Sequence, residues 1–235
     1  MPDKFYAYNN KLISPSAGNV IGAKEAPALA TRSMRFDFKY DHFNPITGLN
    51  DLSASGFIWT HVADDVYDFH YDNANWGYRT LPTINGGLFN VYAYKQGSST
   101  ITPMTQHQFD IIDADLTGVT DVSYLFNSAW PVQNIFSIRN TSSVTDFRYF
   151  IGHNNRSIAI PNIPLFDTSS ATNVSYMCLN TRKVESGSLA LYQQMSSQVS
   201  PPSSYAYCFS NCGSQTTTGA AERAQIPTSW GGTMS

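Results

Sequence analysis

Charge is scarce in this sequence. Asp, Glu, Lys and Arg make up 13% of its 235 residues, against roughly 25% in an ordinary soluble domain. Ser, Thr and Asn are abundant instead, so the surface is expected to be polar through hydroxyls and amides. Such a surface fits an extracellular or virion setting better than a cytosolic enzyme. The net charge is −3 and no run is rich in Lys and Arg, which argues against a nucleic-acid partner. No apolar run approaches the roughly 18 residues that cross a bilayer, so no membrane partner is expected. The first 33 residues lack the apolar centre of a signal peptide. Only three cysteines occur, Cys178, Cys208 and Cys212. An odd number gives no disulfide framework, and they read as small buried hydrophobes.

Recognisable catalytic patterns are lacking too. There is no G-x-S-x-G elbow, and no Walker or dinucleotide glycine pattern. Glutamate occurs only as Glu25, Glu185 and Glu222, none in a cleft-forming context for the paired acids of glycoside cleavage. The expectation is a non-enzymatic protein with no catalytic residue and no cofactor. The richest polar cluster is "HVADDVYDFHYD" (61–72), with His61, Asp64, Asp65, Asp68, His70 and Asp72. It reads as a solvated hairpin and not as a metal site. Asp110, Asp113 and Asp115 read as strand-end caps, because their spacing lacks the Gly and distal Glu of a calcium loop. The sequons at Asn140, Asn155 and Asn173 are expected by chance in such a composition.

What is present is a repeat. The segments "VTDVSYLF" (119–126), "VTDFRYFI" (144–151), "ATNVSYMC" (171–178) and "PSSYAYCF" (202–209) align on Tyr124, Tyr149, Tyr176 and Tyr207. In each, the residues two before, one after and two after the tyrosine are mostly apolar. That is an i, i+3, i+4 spacing, which predicts one face of a short helix. Thr120, Thr145, Thr172 and Ser203 stand where a helix N-cap would be, and Asp121 and Asp146 follow where the dipole favours an acid. Between these lie strand-like segments at 109–116, 133–140 and 157–167. A strand-plus-helix unit recurring every 25 or so residues predicts a solenoid. On such helices the tyrosines lie about 200° from the first core position. They form a ladder that either binds a partner or packs between coils.

The third copy, "FDTSSATNVSYMC" (166–178), resembles the repeat of BspA-like leucine-rich-repeat surface proteins, as do "NTSSVTDFRYFI" and "DLTGVTDVSYLF". The resemblance covers roughly residues 109 to 213 and is closest to the subgroup found in gut Bacteroides and their phages. It implies a solenoid with a surface or adhesive role, and it supplies no catalytic residues.

The expected fold is therefore α/β: a short leucine-rich-repeat-like solenoid of about four strand-plus-helix coils. A small β-rich module (34–108) and an extended N-terminal arm (1–33) precede it, and a C-terminal helical cap closes 109–235. The module rests on "MRFDFKY" (34–40), which alternates Met34, Phe36, Phe38 and Tyr40 with polar residues, and on "GFIWTHV", "DVYDFHYD" and "GLFNVYAY". The cap rests on helical patterns at 186–196 and 218–227. The arm has little periodicity, and its apolar side chains Phe5, Tyr6, Tyr8, Leu12 and Ile13 read as docking anchors. The functional expectation is a structural component of a bacteriophage virion, such as a head fibre, a decoration or a tail-associated protein. Its partners would be other virion proteins through the arm, further copies in a homo-oligomer, and a host glycan or protein. A secreted adhesin on a bacterial cell surface is the alternative, and a glycan-processing enzyme a third class.

Overall fold

Met34 and Phe36 share one strand face, Phe38 follows directly after the strand, and all three are fully buried, as the period-two pattern requires. They anchor the sheet on which the rest of the chain is built. The computed structural model describes residues 27–48, 53, 56–77, 107–127, 132–154 and 162–234, and the backbone of five short strands elsewhere. Two of these, β1 (Tyr6–Tyr8) and β2 (Lys11–Ile13), pair antiparallel. The main sheet contains β3 (Ser33–Asp37), β4 (Phe57–Ala63) and β5 (Val66–Tyr71); α1 (Pro45–Gly48) lies between β3 and β4. Three two-residue strands, β6 (Thr83–Ile84), β7 (Gly87–Leu88) and β8 (Tyr94–Lys95), form a separate antiparallel sheet. They are followed by β9 (Phe109–Asp115), β10 (Val132–Ile135), α2 (Ser188–Ser196) and α3 (Thr217–Arg223).

The main sheet runs β10-β9-β3-β5-β4, with β10 and β9 parallel and the other pairs antiparallel. It crosses residue 108, because β3 pairs with β9 in register from Ser33–Asp115 to Asp37–Asp110. One face carries Met34, Phe36, Phe69, Tyr71 and Ile111 into the core. The other face carries charge that is also covered. Arg35 is 8% exposed and Asp37 4%. Arg35 donates from Nε and Nη2 to the two oxygens of Asp68 at 2.7 and 2.8 Å, and from Nη2 to the Pro27 carbonyl at 2.8 Å. A buried guanidinium needs such partners, since an unpaired charge away from water is costly. Residues 27–33 thus belong to the folded unit, and Leu29 is buried with them. The expected 1–33 arm ends too late: its last residue, Ser33, is the first of β3.

The expected leucine-rich-repeat solenoid of strand-plus-helix coils is overturned. The main sheet is an open, mixed five-stranded one, helices are few among the described residues, and no helix occupies the predicted positions in the repeats. The reason lies in the backbone. Tyr124, Tyr149, Tyr176 and Tyr207 have φ of 64°, 56°, 60° and 57°, and a left-handed residue breaks a right-handed helix. Each repeat is instead a chain of β-turns: Leu125 N–H donates to Val122 O, Phe150 to Phe147, Met177 to Val174 and Cys208 to Tyr205, all at 3.0–3.2 Å. The tyrosine takes the third turn position, where a type II turn demands positive φ. Successive turn units, here called rungs (121–127, 146–153, 173–180, 204–211), stack through parallel bridges Asp121–Asp146–Asn173–Ser204.

The apolar offsets still face inward. Val122, Leu125, Phe126, Phe147, Phe150, Ile151, Val174, Met177, Cys178, Cys208 and Phe209 are all at most 2% exposed. The helical patterns at 186–196 and 218–227 appear as α2 and α3. Glu222 of α3 caps α2, accepting from Gly187 N, Leu189 N and Ser188 Oγ. Of "GLFNVYAY", only the backbones of β7 and Tyr94 are described. Residues 157–161 of the expected third strand lie outside the described residues.

Candidate functional site

The rungs carry three side-chain rows. In the first, Thr145 Oγ1 donates to Thr120 O, Thr172 Oγ1 to Thr145 O and Ser203 Oγ to Thr172 O, each at 3.1 Å. The hydroxyls expected to cap helices therefore tie each rung to the one before it. In the second, Asp121, Asp146 and Asn173 accept from the N–H two residues on, at 2.8, 2.8 and 3.1 Å. This is the Asx-turn that favours these residues at turn starts. Burial raises the Asp146 carboxyl above its ordinary range, and neighbouring Asp121 adds to the rise.

The third row is the tyrosines. Their rings stack in sequence order, with centroids 4.7, 4.7 and 5.4 Å apart and planes within 17° of parallel. That spacing follows from the backbone, since hydrogen-bonded rungs repeat at about the 4.7–4.9 Å of neighbouring strands. The Arg148 guanidinium lies 5.6 Å from the Tyr124 ring centre. Burial pushes the Tyr149 hydroxyl above its ordinary value, helped by the neighbouring tyrosines. The rings thus pack between rungs. Faces of interior rings lie against each other, while edges point along a half-exposed flank. Tyr207 ends the row, 56% exposed. Beside it runs a row of His153, Asn180 and Asn211, all left-handed; Asn211 Nδ2 donates to Asn180 Oδ1 at 3.0 Å.

The acidic clusters found in the sequence are structurally employed. Lys39 Nζ meets Asp110 at 2.6 Å and Asp37 at 3.4 Å, and Arg139 meets Asp113 and Asp115 at 2.8 and 2.6 Å. Burial tends to raise the Asp115 carboxyl, but hydrogen bonds from the Thr117 hydroxyl and amide and from Asn140, with the charge of Arg139, together hold the group low. In the 61–72 hairpin, Asp65 pairs with His42, Asp68 with Arg35, and Asp72 with His70. Among the described residues, no group of three or more His, Cys, Asp or Glu side chains is placed to hold a metal. No helix among them is long and apolar enough to cross a membrane.

One constellation escaped the sequence. Ser33 Oγ lies 3.0 Å from His70 Nδ1, and His70 Nε2 lies 2.6 Å from Asp72 Oδ1. This has the order of a nucleophile, base and orienting acid. Ser33 is only 1% exposed, however, and the Thr31 carbonyl competes for its hydroxyl at 3.3 Å and for Nδ1 at 3.1 Å. The hydroxyl is thus buried and shared with a backbone carbonyl. Only strand pairing brings these side chains together, through the β3–β5 register that sets Ser33 opposite His70. The arm anchors divide differently. Phe5 lies outside the described residues, while the backbones of Tyr6, Tyr8, Leu12 and Ile13 belong to β1 and β2.

Comparison of the chain with protein families, curated proteins and solved structures gives no match in any of the three.

Proposed function

We propose that this chain is a non-enzymatic structural protein of a bacteriophage virion with an adhesive role exerted through the flank of its stacked rungs. The observation that carries the adhesive part is the tyrosine row: four rings in one continuous stack, with their edges along one side of the molecule. Tyrosine supplies contact area at low conformational cost, and here the stack fixes each ring before any partner arrives. The virion setting is supported by the low-charge, hydroxyl-rich composition and by the resemblance of 109–213 to surface-protein repeats. On this reading Phe5, Tyr6, Tyr8, Leu12 and Ile13 dock the chain onto other virion proteins or onto further copies of itself.

Two measurements test the proposal. Antibodies against the chain should label intact purified phage particles, and the fluorescently labelled full-length protein should adsorb saturably to host cells. Finding the chain on the bacterial cell surface and not in particles would replace the virion reading by a bacterial adhesin. Failure to adsorb to any host cell would remove the adhesive role.

A further inference from the structure

Every interior rung passes its N–H groups forward by one rule. Val122, Tyr124 and Phe126 donate to Asp146, Arg148 and Phe150. Phe147, Tyr149, Ile151 and His153 donate to Asn173, Ser175, Met177 and Leu179, and Val174, Tyr176, Cys178 and Asn180 to Ser204, Ala206, Cys208 and Ser210. The fourth rung has no successor of its own kind. The corresponding donors are Tyr205, Tyr207, Phe209 and Asn211. Phe209 N–H is taken by the Trp230 carbonyl at 2.9 Å, and the Trp230 ring stacks on Tyr205 at 4.4 Å. Tyr207 and Asn211 receive no such cover: among the described residues their N–H groups meet no acceptor, and the outer face of the Tyr207 ring carries no other ring.

We infer that this open corner is a binding site for a neutral sugar ring, with Tyr207 as the stacking platform and the Tyr207 and Asn211 N–H groups as donors. The inference rests on the adhesive reading above and narrows it from the whole row to its last member. Three observations select this occupant. First, stacking needs an uncovered ring face, and in a row of rings stacked on one another the interior faces are spent. The C–H face of a pyranose is apolar and flat enough to pack on an aromatic ring, while its hydroxyls and ring oxygen accept hydrogen bonds. Second, the rung around the platform contributes Ser203, Ser204, Ala206, Ser210 and Asn211, with no charge among them, which suits a neutral ligand. Third, the middle of the rung is blocked. Gly231 lies so close that a Cβ on it would come within 2.6 Å of Ser210 N. An extended partner strand running from Tyr207 to Asn211 would have to displace Trp230 and Gly231, whereas a single ring beside them does not.

The test uses the full chain and three neutral probes: maltotriose, cellotriose and the trimer of N-acetylglucosamine. Titration followed by amide NMR should show saturable shifts centred on Tyr207 and Asn211 for at least one probe. Tyr207→Ala should weaken that binding by at least about tenfold. Tyr207→Phe, which keeps the ring, should stay close to the parent, and the dispersion of each variant's own amide spectrum shows that it is folded. Saturable binding unaffected by Tyr207→Ala, or shifts centred on Tyr124 at the other end of the row, would overturn the assignment. Absence of saturable shifts with all three probes would overturn it as well. If the protein still adsorbs to host cells in that case, the adhesive role stands and only the sugar site falls.

Discussion

At the scale of the residue, the left-handed positions decide how this chain behaves. His153 has φ of 58° and occupies the row that Asn180 and Asn211 continue. Burial, and then the charge of Arg182, lower its pKa below the ordinary 6.5. The unfolded chain takes up this proton near 6.5 and the folded chain only at lower pH. The unfolded state therefore binds more protons in that window, and stability falls as pH drops through it. Asn tolerates the left-handed region and carries no titrating group. His153→Asn is expected to match the parent at pH 7 within about 0.5 kcal/mol and to lose less stability on acidification. Urea melts of both proteins at pH 7 and pH 5 check this. Equal losses in the two would show that His153 does not titrate with folding.

At the scale of the element, the repeat shows what the sequence pattern conveyed and what it did not. The spacing i, i+3, i+4 identified the inward residues correctly, because a run of β-turns returns the same offsets to the core as one turn of helix. The conformation was not legible from that spacing. The contrary signal was the Asx residues: Asp121, Asp146 and Asn173 start turns, and Asn180 and Asn211 sit where positive φ is needed. Tyrosine gave no such sign, since a bulky residue rarely adopts φ above zero. Its backbone costs about 1–2 kcal/mol there, and two stacked neighbours return about 0.5–1.5 kcal/mol each. Removing the ring while keeping a Cβ leaves the cost without the return. Tyr149→Gly should therefore be more stable than Tyr149→Ala, by about 0.5–1 kcal/mol after allowing for the unfolded-state entropy of glycine. Phe150→Ala, at a fully buried site, should cost about 3–5 kcal/mol. Denaturant melts of the three variants rank them. A Tyr149→Ala protein at least as stable as Tyr149→Gly would contradict the left-handed rung.

At the scale of the whole molecule, the sheet and the rungs share one continuous core from Met34 to Trp230. The strands of residues 34–71 were readable because alternation survives in one strand taken alone. The pairing of β3 with β9 was not, and neither was the meeting of Ser33, His70 and Asp72, because register is a property of the assembled sheet. The same is true of where folding begins along the chain. Residues 27–31 have no periodic pattern, yet Pro27 O holds Arg35, the Thr31 carbonyl lies beside His70, and Leu29 is buried. A chain beginning at Pro27 keeps these contacts; one beginning at Thr31 loses Leu29 and exposes one side of the Arg35–Asp68 pair. Burial of a leucine is worth about 1.5–3 kcal/mol, and a hydrogen bond to a charged group about 1.5–3 kcal/mol. Water recovers part of the second once the site opens. The Thr31 chain should therefore be less stable than the Pro27 chain by about 2–4 kcal/mol, while the Pro27 chain stays close to full length. Urea melts of the three chains measure both differences. Equal stability of the two shortened chains would remove 27–30 from the folded unit. A loss already complete at Pro27 would make residues 1–26 part of the fold and end their proposed role as a separate docking arm.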